Sequence, residues 1–177
     1  MDDKIIIEVD DSEFDAQKEA VKTVRVLSFR LGTEHYCIRI TDAKEVFKPL
    51  SITRIPNTPA FIVGVTNLHG AAIPLVDIRY FLGLQQKEGL AGTKVIVTDV
   101  GRSIVGVMVD DVNEALDIEE ASIQPPLATI KGKLAEFTKG QVQLGDEIVV
   151  LLELKKILNC EEVENLKNPS AGSGFLS

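Results

Sequence analysis

The 177-residue sequence contains no tryptophan, and only 5% of it is aromatic. Surfaces that stack sugars or nucleobases are built from such rings, so neither ligand class is expected. Cysteine is scarce too. Cys37 and Cys160 make no disulfide framework, and a reducing, cytosolic setting is the reading they fit. Histidine is limited to His35 and His69, so nitrogen and sulfur ligands total four, with no paired-cysteine spacing to gather them. No metal and no cofactor are therefore expected. Positive charge is short, with a formal net charge of -8. Nucleic acid and anionic membrane surfaces are bound through basic patches, so neither is expected as a partner. No run approaches the ~20 apolar residues of a membrane span. Met1-Asp2-Asp3-Lys4 lacks the basic start and apolar core of a secretory signal.

What is present describes a folded protein. The chain is 45% hydrophobic and 26% charged, ordinary values for a globular domain or two subdomains sharing one core. The negative charge is uneven. Residues 1–22 hold eight acids against three lysines, a net of -5, which leaves -3 for residues 23–177. Residues 1–22 thus read as an acidic arm carrying one apolar run, Ile5-Ile6-Ile7. Residues 23–166 read as the folded domain and 167–177 as a tail. In that tail Phe175 and Leu176 are candidates to dock.

Periodicity favours strands. Residues 24–31 and 35–40 alternate around a Gly32-Thr33-Glu34 turn, with Tyr36, Ile38 and Ile40 on one face. A helical turn is expected at 42–46, then a strand at 51–55, a loop punctuated by Pro56, Asn57 and Pro59 that leads into residues 60–64, and a strand at 65–68. A turn at His69-Gly70 follows, with Gly70 in a position that needs positive φ, and then a strand at 71–76. Residues 78–84 form a short helix ended by Gly83. Residues 94–98 and 103–109 form another hairpin, 110–120 an acidic stretch, and 134–142 and 147–152 a last strand pair. Leu154, Ile157, Leu158 and Glu161 are spaced for an amphipathic helix over 154–166. The fold class is all-β with a final helix: about nine or ten short strands in two small barrels, divided near residues 85–92, with no repeat of fixed period.

Motifs for catalysis are missing. No phosphate loop, dinucleotide fingerprint or serine elbow is present, so no small-molecule substrate is expected. The acidic pairs Asp110-Asp111, Glu119-Glu120 and Glu161-Glu162 are adjacent in sequence. Adjacent side chains do not share a face, so these are solvated charges rather than acid/base pairs. A small enzyme using Cys37 with His35 or His69 is the remaining catalytic alternative; it needs an activated thiolate beside an imidazole. A binding module is favoured by elimination, and elimination names no partner.

One long run does. Ile52-Thr53-Arg54-Ile55-Pro56-Asn57-Thr58-Pro59-Ala60-Phe61-Ile62-Val63-Gly64-Val65-Thr66-Asn67-Leu68-His69-Gly70 closely resembles the signature of the CheW chemotaxis coupling proteins. Phe29, Leu31-Gly32 and Tyr36 match that family's first hairpin. Ile73-Pro74-Leu75-Val76-Asp77-Ile78-Arg79, Val105-Gly106-Val107-Met108-Val109-Asp110 and Leu144-Gly145-Asp146 match later motifs, so the likeness spans about residues 23–165. It implies two intertwined five-stranded SH3-like barrels and a non-catalytic adaptor. Such an adaptor bridges the cytoplasmic tip of chemoreceptors to the regulatory domain of the histidine kinase CheA, in the cytoplasm at receptor arrays. An adaptor of the same type in a non-chemotaxis pathway is the alternative. By the resemblance, Ala43, Glu45, Val46, His69, Val105 and Val107 face the receptor, the apolar ones lining a groove between the barrels. Phe61, Val63, Gly64 and Gly140 face the kinase. Both glycines also read as plain turn residues. The family usually has arginine where this chain has His69, near the acid that aligns with Glu45. Arginine presents a fixed fork, whereas an ordinary histidine is mostly neutral at pH 7. The resemblance therefore does not carry the Glu45–His69 contact over, and weaker coupling or a distinct receptor class is expected.

Overall fold

The computed structural model describes residues 21–86, 92–101 and 103–159. Ten strands make two five-stranded sheets. The first sheet contains β1 (Thr23–Leu31), β2 (Glu34–Arg39), β8 (Asp111–Glu119), β9 (Thr138–Leu144) and β10 (Glu147–Leu152) in the order β8-β1-β2-β10-β9. The second contains β3 (Glu45–Phe47), β4 (Ile62–Leu68), β5 (Ala71–Val76), β6 (Lys94–Val100) and β7 (Ser103–Val109) in the order β3-β6-β7-β5-β4. Three short helices are α1 (Arg79–Leu82), α2 (Gly132–Phe137) and α3 (Leu154–Leu158).

The two sheets are the same design met in a different chain order. Each has an antiparallel hairpin at its centre, β1–β2 or β6–β7. Each centre gains a single outer strand on one side, β8 or β3. On the other side each pairs in parallel with a second hairpin, through Leu151 opposite Cys37 or Leu75 opposite Gly106. The second sheet runs 3-4-5-6-7 and the first runs 8-9-10-1-2. A cyclic shift of this kind leaves no fixed period in the sequence. It also corrects the expected division near residues 85–92. That connection lies inside the second sheet, which is built from residues 45–109 in one stretch between β2 and β8.

Alternation along the strands divides the core into three parts. Tyr36 and Ile38 of β2 enter a large cluster shared by both sheets, while Cys37 between them joins a second cluster with Val26, Val142, Val149 and Leu151. In β7, Val105, Val107 and Val109 enter the shared cluster and Met108 a third one with Ile73, Leu75, Val95 and Val97. Each barrel therefore has its own interior and gives its opposite face to a common core. The helices complete that core through Phe81, Phe137, Leu154, Ile157 and Leu158. Because both barrels bury side chains in it, they move as one body rather than as domains on a linker.

Some elements differ from the sequence reading. Residues 110–120, read as an acidic stretch, contain β8. Residues 134–137, read as strand, belong to α2. The turn expected at 42–46 is a 3-10 turn at Ile40–Asp42 followed by β3. Of the strand expected at 51–55, only Thr53 pairs, with Val65. Gly83 ends α1 in the left-handed conformation, φ 74°. The helix over 154–166 is seen as far as Leu158. Residues 1–20 of the arm, the tail, and residues 160–166, with Cys160, Glu161 and Glu162, lie outside the described residues.

Candidate partner-binding surfaces

The β4–β5 hairpin turns on His69 and Gly70, both at positive φ, 53° and 85°. Two successive left-handed residues suit the twist of a tight hairpin. Asn67 Oδ1 accepts the Gly70 N–H at 3.1 Å and closes the turn. His69 thereby meets Glu45 of β3 at the opposite edge of the same sheet. Its Nε2 lies 2.8 and 3.2 Å from the two carboxylate oxygens and donates to them. The contact that the histidine put at issue is therefore made. The His69 side chain is 75% exposed and that of Glu45 39%, so the pair contributes at most about 1 kcal/mol to the fold. Both groups stay open to a partner.

Val46, next to Glu45, is 39% exposed and adds an apolar contact to this edge. Ala43 is half-buried against the shared core. Val105 and Val107 differ from the expected groove lining. They are buried members of that core, because their positions on β7 point between the sheets. As they stand, they offer no surface. The exposed set is Glu45, Val46 and His69, with the neighbouring Lys44–Asp99 pair at 3.7 Å.

The kinase-facing set separates similarly. Phe61 is 2% exposed and sits in an aromatic cluster with Tyr80 and Phe81, at centroid distances of 5.4 and 5.0 Å. It is a core residue rather than a contact surface. Val63 is half-buried and forms the extra residue of a bulge, since Ile62 pairs with Val76 and Gly64 with Leu75. Gly64 and Gly140 are strand residues, not turn residues. Each lets another segment lie close against an outer strand. A Cβ on Gly64 would stand 2.3 Å from the Thr53 carbonyl oxygen, and one on Gly140 2.5 Å from that of Gln124. The segments are held by paired backbone hydrogen bonds, Thr53 with Val65 at 2.8 Å and Gln124 with Gln141 at 2.9 Å. The two glycines are equivalent positions on different sheets, so Gly64 adjoins Val63 on β4 while Gly140 stands on β9 of the other sheet.

An ionic cluster ties the two barrels together, and it corrects the reading of Asp110 as a solvated charge, since that side chain is only 10% exposed. The Arg79 guanidinium reaches Asp77 at 3.2 Å and Asp110 at 2.5 Å, with its side chain 3% exposed. Asp110 also accepts the Gly32 N–H in the β1–β2 turn of the other barrel. Burial pushes the Asp77 carboxyl above the usual range, and Arg79 pulls it partly back. The signal in the sequence was two charges, Asp77 and Arg79, inside an otherwise apolar run.

The catalytic alternative finds no geometry. Cys37 is fully buried and its thiol is pushed up to about 12 by burial. His35 Nδ1 is engaged by Glu147 at 2.7 Å, and His69 lies on the other sheet with Glu45. Alkylation of Cys37 in the native protein at pH 7.5, followed by peptide mass spectrometry, is expected to be at least about a hundredfold slower than in urea. Fast native labelling at Cys37 would revive the enzyme reading. Among the described residues no three metal-ligating side chains gather, and no helix is long and apolar enough to cross a membrane.

Comparison with known proteins covers the same region. The family model for the CheW-like domain matches residues 25–162. Chemotaxis protein CheW of Klebsiella aerogenes is 35% identical over 142 residues, which is 80% of this chain and 86% of that one. Protein FrzA of Myxococcus xanthus is 31% identical over 137 residues, 71% of this chain and 84% of that one. The crystal structure of the scaffolding protein TtCheW from Thermoanaerobacter tengcongensis superposes with a TM-score of 0.69 at 31% identity. It covers 80% of this chain and 96% of that one.

Proposed function

This chain belongs to the CheW-like domain family, and we propose that it is a non-catalytic adaptor that couples chemoreceptors to the regulatory domain of the kinase CheA. It works in the cytoplasm, recruited to receptor arrays. The observation that carries the reading is one core shared by two barrels, with separate outer surfaces on it. Coupling between two sites is a difference in affinity for two states, and a rigid body transmits it without a hinge that would dissipate it. The exposed edge of Glu45, Val46 and His69 is offered to the receptor tip. The outer strand β4, with Val63 at its bulge, is offered to the kinase.

Calorimetric titration into an isolated CheA regulatory domain from the same cell tests this. Saturable one-to-one binding is expected, weakened about tenfold or more by Val63→Glu and unchanged by Val46→Asp. No heat at concentrations of ~100 μM, a threshold near 5 kcal/mol of affinity, would overturn the kinase assignment. On the receptor side, His69→Arg is expected to raise affinity about two- to fivefold, the range an exposed ion pair supplies. Unchanged receptor affinity would show that the turn histidine does not set coupling strength.

A further inference from the structure

We propose that the apolar pair Phe175-Leu176 of this chain docks into a groove at one end of the first barrel. The groove holds about 510 Å³, enough for two large side chains. Leu84, Leu134 and Val150 form its floor, each half-buried and packed against the shared core. Ile130 and Ile148 line its mouth, and Ile148 is 58% exposed, one of the largest apolar exposures among the described residues. Glu34, His35 and Glu147 form the rim. An apolar floor under a polar rim is the construction of a side-chain docking site.

Three observations choose the occupant. The first is composition. Residues 167–177 read Lys-Asn-Pro-Ser-Ala-Gly-Ser-Gly-Phe-Leu-Ser, a polar Gly/Ser spacer leading to one adjacent pair of large apolar residues. The second is reach. Phe175 lies sixteen residues beyond Asn159, and the nine-residue spacer from Leu166 alone spans roughly 15–18 Å. The groove begins near α3, because α2, which carries the groove residue Leu134, packs directly against it. The third is charge. Lys167 is the only charged side chain between Leu166 and Phe175, with Glu161, Glu162 and Glu164 further back in the sequence, and the groove rim carries Glu34 and Glu147.

The apolar run Ile5-Ile6-Ile7 of the arm fits worse on composition and charge and no better on reach. Asp2, Asp3, Glu8 and Asp10 surround it against the single Lys4. Its tether enters at Thr23, whereas the groove adjoins Glu34–Tyr36, which pair with Leu31–Phe29 at the far end of β1. Six to eight strand rises separate Thr23 from Phe29–Leu31, about 20–27 Å, against a reach of roughly 19–23 Å for the fifteen residues from Val21 to Ile6. The inference concerns a surface outside the receptor and kinase sets and stands independently of the adaptor reading.

The absence of tryptophan supplies the test. In full-length Phe175→Trp the single indole reports its own surroundings. We expect emission at shorter wavelength than the urea-unfolded chain. Acrylamide quenching should fall about twofold or more, as a tether of millimolar effective concentration gives for weak apolar docking. Both signals should hold over about a hundredfold range of protein concentration, since a tethered contact is unimolecular. Ile148→Asp should return the indole to solvent. Leu176→Asp, which alters nothing in the described fold, should do the same. Solvent-like emission in Phe175→Trp alone would overturn the proposal. Protection that rises with concentration would assign the groove to a second copy, and protection that survives Ile148→Asp in a folded chain would place the pair elsewhere. Either result would also overturn it.

Discussion

Arg79→Ala is expected to lower stability by about 3–5 kcal/mol, the cost of removing one partner from a buried ion pair. For a chain of this size that is a fall in Tm of roughly 6–20 °C. The size follows from where the guanidinium sits. Its side chain is 3% exposed and that of Asp77 2%, so the Asp77 carboxylate cannot turn to bulk water once the arginine is gone. The cluster also ties three places in the chain together. Asp77 and Arg79 stand where β5 passes into α1, Asp110 stands between β7 and β8, and Gly32 belongs to the first barrel's hairpin turn. Lysine at 79 should recover only part of the loss, because an ammonium cannot address two carboxylates with a fixed fork.

The same cluster predicts a pH signature. Asp77 already has its carboxyl raised by burial, with Arg79 acting against that rise. A carboxyl raised in the folded state binds its proton more tightly folded than unfolded. Its favourable contribution is therefore present below the ordinary carboxylate range and is lost as pH rises through the folded value. Removing Arg79 raises Asp77 further and widens that window. The stability gap between the parent and Arg79→Ala should be largest near pH 7.5 and shrink toward pH 5, where the orphaned carboxyl can take a proton. Urea midpoints of both proteins at the two pH values measure this. A gap that stays constant or grows on acidification would remove charge burial as the cause.

How much of this was legible in the sequence depended on whether a residue's environment is set locally. β1, β2, β6 and β7 were readable because Leu27, Phe29 and Leu31, or Val105, Val107 and Val109, alternate into a core that covers them completely. β8 was not, because it is an outer strand. Only Val112, Ala115 and Ile118 face inward, half-buried, while Asn113, Glu114 and Asp117 are exposed, so acidity masked the period. The site was legible only as far as family likeness placed Glu45 and His69. Their contact depends on a left-handed turn at His69 that brings two edges of one sheet together, and no spacing rule encodes that. Val105 and Val107 were misplaced for the opposite reason. Likeness named the two residues, but alternation alone does not say which face of β7 borders a groove and which borders a second barrel. The roles of Gly64 and Gly140 were hidden because what they make room for, Thr53 and Gln124, lies well upstream in each case.

Those two glycines carry the second large effect, and they should not be equal. Gly64→Ala adds a Cβ 2.3 Å from a backbone oxygen, where no side chain can swing aside, at a φ of 156° that L residues rarely adopt. Overpacking of about 1–3 kcal/mol and backbone strain of about 1–3 kcal/mol then combine. Gly140→Ala meets a similar obstruction, 2.5 Å from the Gln124 oxygen, but φ there imposes no left-handed strain. Its cost should be the overpacking alone, about 1–3 kcal/mol. The obstruction also predicts where the structure yields. In Gly64→Ala the Thr53 segment must lift from β4, so the paired amides of Thr53 and Val65 should lose hydrogen-exchange protection before the β6–β7 hairpin does. If binding to the kinase domain falls in Gly64→Ala together with that protection, the glycine acts by seating the 51–55 segment, not by touching the partner. Val63→Glu should separate the two, losing binding while Val65 stays protected. Equal destabilisation by the two alanines, or full protection at Val65 in Gly64→Ala, would show that the crossing segment is not what these glycines accommodate.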